Sequence, residues 1–225
     1  MYASSGLIEE KYPLICGGQV LTGELTDQCH VIPNLEGLSP LSLPFPTAYM
    51  GHAVVNNSLL WLTGGIAYNS NQSNYFYMKS SLYVDLIGSA VHLGPDVPNY
   101  IYYHCMVSSN ALMKAIIIGG YSVSDENSIP ILSDETHIFS FYYQSWFPGP
   151  PLNMARAHFT SGMLKDGNDH IVVAAGGLTN NGITKKIEFF NLGSGLDWYF
   201  GPDMMEPRYD LASGFEFIEI SKTNA

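Results

Sequence analysis

The chain has 225 residues, of which 46% are hydrophobic and only 13% charged, and its formal net charge is −11. That length and apolar content suit one globular unit with its own core. So acidic a surface repels phosphate backbones and anionic lipid, which argues against nucleic acid as a partner and against membrane insertion; no run of about 18 apolar residues offers a spanning helix either.

The opening, MYASSGLIEEKYP, lacks the basic start and apolar core of a secretion signal. The expectation is either a cytosolic protein or a chain whose natural N-terminus lies elsewhere. There are three cysteines, Cys16, Cys29 and Cys105, and none stands in a C-x-x-C pair. A structural zinc site is therefore not expected, and the odd count argues against a complete disulfide framework.

In chain order, the first apolar run is PLICGG, ending at Gly17 and Gly18. A polar stretch follows, then CHVI from Cys29 and the proline-marked LSLPFP from Leu41. Cys16 and Cys29 flank this hairpin. Adjacent antiparallel strands bring Cβ atoms within disulfide range, while two buried free thiols are the other reading.

The next segment opens at His52 in GHAVVNN and continues through LLWLTGG, ending at Gly64 and Gly65. After a loop over 66–80 come SLYVDL and VHLGPDVP. A third segment opens near His104 in YHCMVSS, then runs through AIIIGG (Gly119, Gly120), HIFSFYY and WFPGPPL. The fourth opens near His158 in RAHFTSG, then runs through IVVAAGG (Gly176, Gly177), KIEFFNL and WYFGPDM. A last partial segment, RYDLASG, places Asp210 where the others have histidine. β-branched and aromatic residues fill these runs and Gly, Pro and Asn punctuate them, so they predict strands. No stretch shows helical periodicity.

Glycine doublets recurring about every 50 residues after apolar strands fit kelch spacing better than WD40 spacing. With Trp146 and Trp198 each opening a proline-marked run, the chain resembles the kelch-repeat β-propeller family over nearly its whole length. The resemblance implies an all-β propeller of about four four-stranded blades. Gly17, Gly18, Gly64, Gly65, Gly119, Gly120, Gly176, Gly177, Trp146 and Trp198 are then structural repeat residues. Val91 stands where the second blade should carry its tryptophan, and the first blade has only Leu and Pro residues around Leu41 to Pro46.

The expected blades are 49–98, 102–153 and 156–206, with a further one made from 12–46. The chain then opens within strand two of that blade. Residues 208–220 would complete it and close a four-bladed ring; alternatively the chain is an arc of a larger propeller. The three histidines read as one repeat position, each satisfying a local hydrogen bond at the start of an inner strand. Neither a metal nor a cofactor is expected. Cys105 reads as a core thiol.

The 66–80 loop carries Tyr68, Tyr75, Phe76 and Tyr77, and the acidic 121–135 loop carries Ile129 to Leu132. Such side chains either bind a partner or fold back onto the blade. Arg156 and Arg208 face the channel mouth on one reading and pair with local carboxylates on the other. Sequons at Asn56 and Asn71, the low charge and the Cys16–Cys29 pair lean toward an extracellular origin.

Kelch resemblance implies a protein-protein interaction module presenting blade loops to another protein. The alternatives are a galactose-oxidase-like propeller or a carbohydrate-binding one. The oxidase chemistry needs copper held by Tyr and His ligands plus a Tyr–Cys crosslink, which the sequence does not reproduce, so no enzyme activity is expected.

Overall fold

The computed structural model describes residues 2–32, 40–125 and 128–211. All regular structure among them is β, and no helix is long and apolar enough to cross a membrane. Four four-stranded antiparallel meanders follow one another in chain order. The first comprises Ser4–Ile8, Tyr12–Cys16, Gln28–Val31 and Leu41–Ser42, and the second Gly51–Val55, Leu59–Thr63, Ser81–Asp85 and Ala90–Gly94. The third comprises Cys105–Ser109, Lys114–Ile118, Thr136–Ser140 and Ser145–Pro148, and the fourth Thr160–Asp166, Asp169–Ala175, Ile187–Asn191 and Tyr199–Phe200. The innermost strands pack side by side in chain order, so the described residues form a propeller-like arc and no closed ring.

Strand periodicity explains the core. Successive side chains point to opposite faces, so a strand clamped between two sheets must be apolar on both. In Lys114–Ile118, Ala115 and Ile117 pack toward the second sheet, while Ile116 and Ile118 pack toward the fourth. Each gap between neighbouring sheets therefore holds one apolar cluster. Ile8, Leu14, Leu60 and Val84 fill the first gap, and Trp61, Ile117 and Phe139 the second. Phe159, Val172, Phe190 and Trp198 contribute to the third.

The fourth-strand position supplies the wedge in each case. Trp146 reaches back to Trp61 of the preceding sheet, with ring centroids 5.5 Å apart. The Trp198 Nε1 donates to the Pro150 carbonyl of the preceding sheet at 3.1 Å. Val91 packs against the first-gap cluster, where Leu41 and Leu43 fill space that an indole takes elsewhere.

The doublets hold equivalent corners. Gly120 (φ +94°) donates its N–H to the Arg156 carbonyl at 2.8 Å, across the sheet boundary. A Cβ there would lie 2.6 Å from the His104 Cβ, so only glycine permits this approach. The same bond recurs from Gly18 to Thr47, Gly65 to Ile101 and Gly177 to Arg208.

One expected boundary is corrected. The inner strand of the first sheet is Ser4–Ile8, which pairs with Tyr12–Cys16, so the chain does not open within strand two. Gln28–Val31 pairs with the other side of Tyr12–Cys16, so that strand is paired on both edges. The intervening turn places Glu9 and Glu10 at φ 51° and 57°. Glutamate is an unusual choice for left-handed hairpin positions, so the turn carries no sequence signal. Within 208–220, residues 212–220 lie outside the described residues.

Candidate functional site

Tyr2, Tyr49, Tyr103 and His158 each stand two residues before an inner strand, and all four are left-handed, as is Asp210, with φ between 51° and 63°. Their main chains form a ladder. The Tyr49 N–H donates to the Tyr2 carbonyl at 3.4 Å, Tyr103 to Tyr49 at 3.0 Å, His158 to Tyr103 at 3.3 Å, and Asp210 to His158 at 2.9 Å. The repeat is therefore phased by backbone conformation.

That phase corrects the histidine alignment. His158 occupies the left-handed position and Asp210 is its equivalent. His104 stands one residue beyond the left-handed Tyr103, and His52 three beyond Tyr49. The three histidines thus hold three different positions. His158 Nδ1 lies 2.6 Å from an Asp210 carboxylate oxygen. His104 Nε2 meets the Thr63 hydroxyl of the preceding sheet at 2.9 Å. His52 Nδ1 is buried with no hydrogen-bond partner. Among the described residues, no three His, Cys, Asp or Glu side chains converge to hold a metal ion.

Side chains at the ladder form an aromatic hub. Tyr49 and Tyr103 lie 4.3 Å apart between centroids, Tyr2 meets Tyr103 edge-on at 5.6 Å, and the His158 imidazole stacks on Tyr103 at 3.5 Å. Burial and the neighbouring Tyr49 hydroxyl raise the Tyr103 phenol well above its ordinary range, so it stays a neutral donor. Beside the hub, Tyr77, Tyr102 and Tyr121 stack at 5.3 and 5.2 Å. Below it opens a cleft of about 620 Å³ between the inner strands, reaching His104 and Thr160.

Burial, with a smaller contribution from His52, pushes His104 down to about 3. The unfolded chain then binds a proton that the folded one refuses between about pH 6.5 and pH 3. Stability is present above that window and falls on acidification. From pH 7 to pH 5 this histidine alone should lower the unfolding free energy by about 2 kcal/mol. Urea titrations at the two pH values, in wild type and His104→Asn, check the slope; an equal fall in both would refute its origin in His104.

The other predicted residues divide. Arg156 is fully buried and bonded to Glu188 at 2.6 Å, so it is withdrawn from the partner-facing set. Arg208 is exposed, its guanidinium 4.0 Å from Glu206. The 66–80 segment is a hairpin of Ile66–Asn69 and Asn74–Tyr77 that pairs with Thr47–Ala48. Tyr75 is 60% exposed. Tyr68 leans on Tyr75 at 5.0 Å, the half-buried Phe76 meets Phe45 edge-on at 5.4 Å, and Tyr77 joins the tyrosine stack. Of these side chains, Phe76, Tyr68 and Tyr77 make ring contacts within the chain, while Tyr75 keeps most of its surface exposed.

Cys16 and Cys29 stand opposite each other across the hairpin and form a disulfide. The Cys105 thiol donates to the Phe159 carbonyl at 3.2 Å, and desolvation pushes it up to about 12, so it is no nucleophile near neutrality. Sequence reasoning missed Tyr2, Tyr49, Tyr102, Tyr103 and Tyr121. The readable signal was the tyrosine before each of the first three inner strands, in MYASS, AYMGH and YYHCM.

No family model matches the chain, and no curated protein matches it. Among solved structures, the one described as "Structure of YjhT" superposes with a TM-score of 0.67 at 13% identity, covering 92% of this chain and 67% of that one. In all, 176 solved chains match, a breadth that marks a shared fold and carries no function by itself. The described residues are all-β, and the chain shares its fold with YjhT.

Proposed function

We propose that the chain is an arc of about four kelch-type blades that binds another protein through the hairpins following its glycine doublets. One observation carries the reading. Each of the four segments after a doublet exposes a large apolar side chain: Leu21, Tyr75, Ile129 with Ile131, and Ile183. The doublets are equivalent corners, so these side chains share one face, with the tyrosine stack among them. Clustered exposed apolar and aromatic groups on a rigid scaffold are what protein recognition uses.

A net charge of −11 favours a partner with a cationic rim. The Cys16–Cys29 bridge suits an oxidising compartment, in line with an extracellular setting. On this reading the chain is not an enzyme and needs no cofactor.

The test compares the full chain with a Tyr75→Ser, Ile129→Ser, Ile131→Ser variant, all three positions being exposed. Thermal melts should coincide. Affinity for the captured partner should fall about 30-fold or more, as for loss of a central hot spot. Undiminished capture of every partner would sink the choice of face.

A further inference from the structure

The cleft beneath the hub has polar atoms that the protein leaves unsatisfied. His104 is 5% exposed and its Nδ1 has no hydrogen-bond partner. The Thr160 hydroxyl is likewise buried without one. Both residues line the cleft. Buried polar atoms without partners are rare in folded proteins, because each carries its full desolvation penalty. The His52 Nδ1, on the same lining, makes three such atoms, and together they call for a guest that supplies hydrogen bonds.

The surroundings restrict what that guest is. Neither Lys nor Arg lines the cleft, so an anion finds no counter-charge. The one lining carboxylate, Asp210, is already bonded to His158 at 2.6 Å. A cation therefore finds no free carboxylate among the lining residues. What fits is a neutral molecule with hydroxyls for the floor and C–H surface for the aromatic rim. A neutral imidazole nitrogen accepts from such a hydroxyl, and the threonine hydroxyl donates or accepts. A volume of about 620 Å³ lies within the range of small-molecule sites.

We infer that this cleft binds a neutral sugar ring, with the Thr160 hydroxyl and His104 Nδ1 bonding its hydroxyls and the tyrosines of the hub covering its apolar face. The inference stands apart from the partner-protein reading, since none of its residues belongs to the exposed hairpin tips.

Saturation-transfer NMR on the full chain tests it, with methyl glycosides of glucose, galactose, mannose and N-acetylglucosamine as probes and acetate and choline as charged controls. At least one glycoside should bind. Thr160→Val, which keeps the side-chain volume, should weaken that glycoside about tenfold, as expected for one lost hydrogen bond to a buried group. Tyr75→Ser should leave it unchanged, which separates this site from the hairpin face. The inference is overturned if no glycoside binds, if only a charged control does, or if Thr160→Val binds the sugar as well as wild type.

Discussion

Glu188→Ala should lower the unfolding free energy by about 3–5 kcal/mol, the range for breaking a buried ion pair from one side. The Arg156 guanidinium and the Glu188 carboxylate are both fully buried, 2.6 Å apart. Arg156 Nη1 also donates to the Gly176 carbonyl at 2.9 Å and the Lys186 carbonyl at 3.1 Å. The second Glu188 oxygen accepts from the Asn153 main-chain N–H at 2.7 Å and its side-chain amide at 2.8 Å. That amide reaches on to the Trp198 carbonyl at 2.9 Å. Removing the carboxylate strands a guanidinium, the Asn153 donors and the anchor of Trp198 together.

The loss belongs to the orphaned charge, not to any net attraction of the pair. An Arg156→Met, Glu188→Leu double variant should therefore recover most of it. Urea unfolding followed by circular dichroism measures both. A single-variant loss below about 1 kcal/mol would mean that water reaches the site and the network is not buried in solution.

Removing the Cys16–Cys29 bridge should lower stability by about 3 kcal/mol, the chain-entropy value for a closed loop of this length. The bridge joins residues 13 apart in sequence, and Cys16 is fully buried in the first inter-sheet cluster. A Cys16→Ala, Cys29→Ala variant should melt below wild type, and reductant should shift wild type alone. Reductant shifting both, or neither, would refute a bridge in solution. The hairpin it closes leads through Gly18 to the Thr47 carbonyl, so its loosening would reach the boundary with the second sheet.

What was legible in the sequence was whatever the side chains alone dictate. Apolar runs ending in paired glycines announced the second strand of every sheet, because only glycine tolerates the corner against the next inner strand. Trp146 and Trp198 announced the wedge. The strand at Ser4–Ile8 stayed hidden because its turn uses two glutamates in place of Asn or Gly. The sequence leaves Arg156 between the channel mouth and a local ion pair, because a cation in a sequence carries no sign of the Glu188 waiting 32 residues later. The histidines misled most. Similar spacing suggested one repeat position, yet conformation set the phase, and conformation at Tyr2, Tyr49 and Tyr103 is not written in residue type. The cleft was illegible for a related reason. Its floor combines His104 from the third sheet with Thr160 from the fourth, a pairing created only when the sheets dock.

The left-handed ladder has a consequence for how such a protein can change. Alignment of the sheets rests there on amide hydrogens and carbonyl oxygens, which every residue but proline provides. Tyrosine, histidine and aspartate already occupy equivalent rungs, so the rungs accept very different chemistry. Selection can rewrite the hub toward a new ligand without renegotiating how the sheets stack, and two chains can keep one shape long after their sequences cease to resemble each other.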